Sequence, residues 1–464
     1  MTFVDRRQEL ATLERFWASG RAEFIPVTGR RRVGKTFLLE RFAAGKRAVY
    51  YRCQFLDTAG QLPLLGQALA ALSGDPVLAA QPPSTWRAAF ALIEQLAQSQ
   101  RLLLILDELP YWASRDESLP SLLQNWWDER GHALNLMLVV CGSAVQMMES
   151  LLSGAAPLAG CLTGRLPVRP LDFRAAGELL GVADPDDTLT AYGILGGVPL
   201  YLSFFRPDRS IGENILQSIA SPSARLYVEP QALFADAHRS FEAGQALAVL
   251  RAVARGKHRW SEIADAARVK PASLGRIMDF LTGDLALVEK LLPVTEDRES
   301  RTYYTQYRLA DNFLRFWFRF IEPNQGQIEF GNAQSVVDTI IAALPDYMGL
   351  PFEAMCRDWA RMASEELPVP PARIGSWWTA EHELDLVGLD ERGHVLLVGE
   401  AKWHSHPFSW GELQRYLEHA HALDPLLRPD ALHLLFSKGG FEDSVARWAG
   451  GTRARLLTPR EMLA

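Results

Sequence analysis

Cysteine is scarce in this sequence. Cys53, Cys141, Cys161 and Cys356 are the only four among 464 residues; they lie far apart and form no C-x-x-C pair. That spacing excludes a disulfide frame and a structural zinc site and fits reduced thiols in a cytosol. Long apolar runs are missing as well. No stretch approaches the roughly 18 residues needed to cross a bilayer, and the N-terminal MTFVDRRQEL carries acids where a secretory leader carries an apolar core. The expectation is a cytoplasmic protein with no membrane partner. Nor is there an excess of positive charge. Lys and Arg total 48 against 55 Asp and Glu, a formal net charge of -7, so a globally basic nucleic-acid coat is excluded and any nucleic-acid contact is regional. What is present is ordinary globular material. The 48% of hydrophobic residues can build cores, and the length allows roughly two to four domains at about 100 to 200 residues each.

The first 175 residues alternate strand and helix patterns. EFIPVTG (23–29), RAVYYRC (47–53), RLLLILDE (101–108) and LNLMLVVCGS (134–143) are short runs rich in β-formers, separated by helical spacing. Their apolar residues run on rather than alternate, the pattern of a parallel sheet covered on both faces. The order implies a doubly wound α/β domain. Between the first run and the helical KTFLLERFAA, residues 29–36 fit G-x-x-x-x-G-K-[ST], the phosphate-binding P-loop. Gly29 and Gly34 let backbone N–H groups, those of Arg32 and Val33 among them, curl around the phosphates. The helix N-terminus adds positive potential, Lys35 reaches the β- and γ-phosphates, and Thr36 ligates Mg²⁺. LLLILDE supplies the complement, with Asp107 for the outer coordination shell of Mg²⁺ and Glu108 to polarise the attacking water. ATP and Mg²⁺ are therefore the expected cofactors.

With an extra strand between its two nucleotide motifs and a DE pair after the second, this part resembles the ATPase division that includes AAA+ and STAND proteins. In that resemblance Ser143, in CGSAVQMM, takes the polar sensor position, and GGVPLYL (196–202) is similar to the G-x-P signature that follows a STAND core. Arg165, in TGR, stands where related archaeal-type ATPases carry a GR before the last core strand. The resemblance implies a finger or sensor for the γ-phosphate there. A surface arginine or plain salt bridge reads equally well from the residue itself.

The Leu- and Ala-rich stretch 176–240 is expected to form a helical lid. From 241 three short helical patterns, the third being PASLGRIMDF with Ser273 and Arg276 turned outward, precede a strand-rich segment with polar residues at its tip. That is the order of a winged helix. Such a module can read duplex DNA through its third helix, but only Arg268, Lys270 and Arg276 add positive charge near it. The aromatic DNFLRFWFRFIEPN (311–324) is expected to bury a bridge between domains.

The last domain is placed at 346–464, after a winged-helix and linker unit at 241–345. HELDLVGL (382–389) and GHVLLVGEAKW (393–403) read as strands joined by the turn DERG. With Glu391 and Arg392 at the tip, Asp385 falls opposite Val398 and shares a sheet face with Glu400 and Lys402, while Glu383 opposes Glu400. Like charges gathered so closely cost energy unless a cation joins them, which points to a divalent metal. The pattern resembles the PD-(D/E)xK nucleases of the restriction-endonuclease-like fold, with Leu384 where the motif's proline would stand. The resemblance implies that Asp385 and Glu400 ligate Mg²⁺, that Lys402 orients or helps deprotonate the attacking water, and that Glu353 is the acid many members carry on the preceding helix. Gln414 is similar to an element of some of these nucleases. His404 and His406, in HSH, read as solvated loop histidines.

Taken together, P-loop, DE strand, GGVP, winged helix, GSWW (375–378), ELD and GEAKW resemble the prokaryotic STAND-like ATPase family with a C-terminal nuclease-like DUF234 domain. The resemblance implies an α/β P-loop sheet, a helical and winged-helix region, and a terminal restriction-endonuclease-like α/β domain. It also implies an ATP-hydrolysing switch that controls a metal-dependent nuclease acting on nucleic acid, with DNA preferred to RNA, in defence against mobile elements or phage. A homo-oligomer is compatible with it. The rival expectation is a signalling scaffold or DNA-binding regulator whose terminal domain binds without cutting.

Overall fold

The computed structural model describes residues 4–143, 145–154, 156–235, 243–296, 304–364, 367 and 370–464. Five parallel strands form the first sheet: β1 (Glu23–Thr28), β2 (Ala48–Arg52), β3 (Leu102–Asp107), β4 (Leu136–Gly142) and β5 (Leu166–Pro167). Their order is β2-β3-β4-β1-β5. Strand β4 thus separates the two nucleotide motifs, which end β1 and β3. Every residue of β3 and β4 is buried, because both faces are covered. Alternate side chains feed two cores, Ile25, Val27, Leu103 and Val139 on one side and Phe24, Leu104, Leu138 and Val140 on the other.

Next come the helices Ala243–Ala254, Trp260–Ala267 and Pro271–Asp279, and then the antiparallel pair β6 (Val288–Leu291) and β7 (Gln306–Leu309). This is the winged-helix order. The expected polar tip includes residues 297–303, which lie outside the described residues. On the third helix Arg276 is exposed and Ser273 half-buried. Phe313, Phe316, Trp317, Phe318 and Phe320 are buried, so the aromatic run is core.

One 30-residue helix, Ala333–Met362, follows. The boundary expected at 345/346 falls inside it, because Val336, Ile340, Leu344, Tyr347, Met348, Phe352, Met355 and Trp359 keep one apolar stripe buried across that point. The stripe joins a single core that runs from Leu171 to Met462 and takes in Leu386, Leu397, Trp403, Leu434 and Phe436 of the terminal sheet. That sheet contains β8 (Arg373–Trp378), β9 (Glu383–Leu389), β10 (Val395–Lys402), β11 (Leu427–Ser437) and β12 (Ala454–Leu457), in the order β12-β11-β10-β9-β8. Pairs β8–β9 and β9–β10 are antiparallel, the others parallel. The hairpin register differs from expectation. Val398 pairs with Val387 and Gly399 with Leu386, which brings Glu400 level with Asp385. Glu383 pairs with Trp378 of β8 instead of Glu400. Two features shift the count: the turn takes a third residue, Gly393, at φ 86°, and a bulge lies between Val395 and Leu397. No helix among the described residues is long and apolar enough to cross a membrane.

Candidate active sites

The phosphate loop leaves β1 at Thr28 and enters the helix Lys35–Ala43 through Gly34, whose φ of 93° suits glycine. At Gly29 a Cβ would come within 2.3 Å of the Val168 carbonyl oxygen, so a larger residue would drive the loop off β5. Lys35 Nζ donates to the carbonyls of Gly29 at 2.6 Å and Arg30 at 3.0 Å. Burial lowers the pKa of this ammonium, against the pull of Glu108 and Asp107. Asp107 is held from two sides, accepting from the Thr36 hydroxyl at 3.1 Å and the Tyr50 hydroxyl at 2.7 Å. Glu108, at φ 57°, accepts from the Ser143 backbone N–H at 3.0 Å, and Arg31 Nε donates to Ser143 Oγ at 3.3 Å. Lys35, Thr36, Asp107, Glu108 and Ser143 are therefore gathered at one end of the sheet.

Arg165 is not gathered with them. Its guanidinium binds the Leu152 carbonyl and lies 3.8 Å from Glu149, beside the helix Val145–Leu152, which is the salt-bridge alternative. Other arginines serve the loop and carry no motif. Arg6, buried, donates to the carbonyls of Val33 at 2.9 Å and Arg169 at 2.7 Å and so braces the loop from outside. Arg30 pairs with Asp311 at 2.5 Å. Arg32, at φ 72°, pairs with Glu229, which also accepts from the Tyr201 hydroxyl at 3.0 Å. Both acids are buried and come from outside the ATPase sheet. The basic triplet Arg30-Arg31-Arg32 was the available sequence signal, since three neighbouring cations in a buried loop require acids elsewhere.

In the terminal sheet Asp385, Glu400 and Lys402 share a face. The Ala401 N–H donates to Asp385 Oδ2 at 2.9 Å, and Lys402 Nζ donates to Glu400 at 2.5 Å. Burial, then the charge of Asp385, pushes Glu400 up to about 7 against the pull of Lys402. The same two causes push Glu353 up to about 8, against Arg357 and Arg308, each 3.8 Å from its carboxylate. Lys402 is raised: burial would lower it, but Glu400 and Asp385 outweigh burial. Two carboxyls with raised proton affinity, Glu353 and Glu400, thus lie within the reach of the charge of Asp385, with the Lys402 ammonium beside Glu400. Their carboxyl oxygens are of the hard kind that Mg²⁺ or Mn²⁺ takes, while the group of three donors that lies within 4.8 Å of one another among the described residues is His404, His406 and Glu412. Glu383 is exposed at the margin. Gln414 is exposed on the helix Trp410–His421, and Tyr416, on the same helix, is buried with its hydroxyl 2.8 Å from His433 Nδ1. His404 is more than a solvated histidine: its Nε2 lies 2.9 Å from Glu412 and its ring stacks on that of His406. Arg308 was missed because its partner is far away in sequence; Arg357, one helical turn after Glu353, could have been read from the i, i+4 spacing.

Residues 3–205 match the model of an ATPase domain found predominantly in Archaea, and residues 317–415 match DUF234, described as archaeal and bacterial proteins of unknown function. An uncharacterised protein of Methanocaldococcus jannaschii is 27% identical over 86% of this chain and 87% of its own length. An uncharacterised ATP-binding protein of the same organism is 49% identical over 10% of this chain and 76% of its own length. Among solved structures, a Walker-type ATPase of Pyrococcus abyssi is similar in fold, with a TM-score of 0.52 at 19% identity, covering 68% of this chain and 96% of that one. The chain therefore carries an ATPase domain of the predominantly archaeal type, followed by a DUF234 segment.

Proposed function

We propose that ATP held and hydrolysed at Lys35, Thr36, Asp107 and Glu108 controls a metal-dependent nuclease site in the terminal sheet. The observation that carries this is the convergence of Glu353, Asp385, Glu400 and Lys402, with two of the carboxyls pushed to about 8 and about 7. A divalent cation bound there supplies Lewis-acid stabilisation of the phosphate and a more acidic bound water. The chain's own residues do the rest. The Ala401 N–H fixes one oxygen of Asp385 and leaves the other for ligation. Lys402 orients the attacking water and faces the charge that grows on the phosphate. At the other site Glu108 polarises water for ATP hydrolysis and Ser143 senses the γ-phosphate. Nucleic acid is the substrate class, with DNA foremost. Arg268, Lys270 and Arg276, all exposed, offer the regional positive charge. We divide the roles as ATPase to about 175, lid to 240, winged helix and linker to 345, and nuclease unit beyond, although the last two share a helix.

The test is cleavage of plasmid, linear duplex, single-stranded DNA and RNA with Mg²⁺ or Mn²⁺, with and without ATP. Asp385→Ala is expected to abolish cutting, Lys402→Ala to slow it roughly 100-fold or more, and Lys35→Ala to remove its response to ATP. One observation favours a second reading, a scaffold that binds without cutting: Lys402, Arg308 and Arg357 already offer positive charge to Glu400 and Glu353. A scaffold turns over ATP, leaves every substrate intact and shows no Mn²⁺ stabilisation that depends on Asp385.

A further inference from the structure

One short segment touches both candidate sites. At its start Arg308 of β7 lies 3.8 Å from Glu353, and its buried Nε has no hydrogen-bond partner among the described residues. At its end Asp311, its side chain 2% exposed, pairs with Arg30 of the phosphate loop at 2.5 Å. Leu309 and Ala310 alone lie between them, a span of about 10 Å at most. The segment is anchored along its length. Leu309 is buried, the Ala310 N–H donates to the Leu287 carbonyl at 2.9 Å, and Asp311 Oδ1 accepts from the Leu314 N–H at 2.8 Å to cap the helix Asn312–Phe316. A parallel tie runs through the next residue. The Tyr347 hydroxyl bonds the Asn312 carbonyl at 3.1 Å and the Gly193 carbonyl at 3.0 Å. Tyr347 lies six residues before Glu353 on the long helix, roughly 9 Å along its axis.

Asp311 is the counter-ion of Arg30 in its buried position: burial would lower the guanidinium pKa, but Asp311, with Tyr201, outweighs it. Arg30 belongs to the loop whose backbone is shaped to cradle phosphates, which would bring a second counter-ion to the same loop. A guanidinium pairs with phosphate at least as well as with carboxylate.

We propose that residues 308–311 couple the two sites: a nucleotide phosphate competes with Asp311 for Arg30, and the shift it causes changes the hold of Arg308 on Glu353. The consequence for cleavage rests on the metal-site proposal above; the coupling itself does not. Coupling is reciprocal, so a change at Glu353 must alter nucleotide affinity at the loop by the factor that nucleotide alters Glu353. A scaffold whose two ends are merely joined predicts no such effect.

The experiment titrates a fluorescent ATP analogue into the full chain and its variants Asp311→Asn, Arg308→Gln and Glu353→Gln. Asn still caps a helix, so Asp311→Asn removes the charge and keeps the fold. Asp311→Asn is expected to tighten the analogue by about fivefold or more. Arg308→Gln and Glu353→Gln should each shift its affinity beyond twofold, and the Asp311→Asn/Arg308→Gln pair should fall short of the product of its singles. Glu353→Gln tests the link from the partner's side should Arg308→Gln not fold. Affinities within twofold of wild type in both Arg308→Gln and Glu353→Gln overturn the coupling, whatever Asp311→Asn does. Asp385-dependent stabilisation by Mn²⁺ is measured on the same samples. Its absence beside linked affinities leaves the coupling standing and removes the metal site. Its presence beside unlinked affinities does the reverse.

Discussion

Glu353, Asp385 and Glu400 are gathered where burial withholds water, and burial is the first cause of the rise of Glu353 to about 8 and Glu400 to about 7. The effect on stability has a definite sign. Unfolded, both glutamates ionise near the ordinary value of about 4.3. The folded chain therefore holds more protons than the unfolded one between that value and their raised values. The stability they contribute is present at low pH and is lost as pH rises through 7 and 8. His433, pushed down to about 4 by burial, and His258, also lowered, change stability mainly below their ordinary value of about 6.5, so a comparison that starts there largely leaves them out. The difference from a double variant separates the glutamates from the buried thiols, which ionise at about pH 8.5 once unfolded. In chelator, the melting temperature should fall from pH 6.5 to pH 8.5, and Glu353→Gln/Glu400→Gln should flatten that fall. Mn²⁺ at pH 8.5 should restore the wild type more than the double variant. Profiles that superimpose would mean that these carboxyls do not titrate in that window.

At the scale of the element, the β9–β10 hairpin decides which residues meet. Asp390 folds the turn by accepting from the N–H groups of Arg392 at 2.8 Å and His394 at 2.9 Å, and Gly393 at φ 86° closes it. Gly393→Ala forces a Cβ into the left-handed region and should cost about 1 kcal/mol, read as a lower urea midpoint with an unchanged slope. An unmoved midpoint would show that the turn does not set the hairpin's stability. This hairpin also shows what was legible beforehand. Period-two alternation placed Asp385, Glu400 and Lys402 on one face, and it did so despite a register in error by two, because a slip of two residues preserves the face. The turn length and bulge that set the true partner leave no mark in a hydropathy pattern. Strands β1 to β4 were legible as unbroken apolar runs. Strand β8 was not, because Gly375 and Ser376 interrupt its apolar residues before Trp377 and Trp378. The long helix was obscured by Pro345 and Pro351, which read as breaks but are accommodated within its 30 residues. Arg308 and Asp311 were beyond reach, since their partners lie in other elements, whereas Arg357 stands one turn after Glu353 on the same helix.

At the scale of the molecule, the distribution of core argues against a terminal domain that stands alone. The ATPase sheet has two cores of its own, one on each face. After it, one core runs from Leu171 to Met462 and takes in one face of the terminal sheet, while the other face packs a smaller core around Leu384, Val398, Phe408 and Leu413. The C-terminal helix Pro459–Leu463 returns to the helix Phe173–Leu180, where Arg174 Nε donates to the Met462 carbonyl at 2.8 Å. At the opposite edge of the terminal sheet, Trp378 Nε1 donates to the Tyr304 carbonyl and the Val294 N–H to the Ser376 carbonyl, both at 2.9 Å. A fragment of residues 346–464 would begin inside the long helix; it would keep Phe352 on Trp403 and Trp359 on Phe436 but lose Phe173, Ile194, Phe313 and Ile340 from the same core. At about 25 cal/mol per Å² of apolar surface left in water, even a few hundred Å² equals a large share of a small domain's stability. That fragment is expected to melt without cooperativity and to show collapsed amide dispersion, whereas residues 171–464 keep the whole core and should melt in one transition. A cooperative melt of 346–464 near the temperature of the full chain would show the terminal sheet to be self-sufficient. If the core is shared as described, a signal from the phosphate loop has one boundary to cross before it reaches Glu353, and the ion pairs Arg30–Asp311 and Arg32–Glu229 already span it.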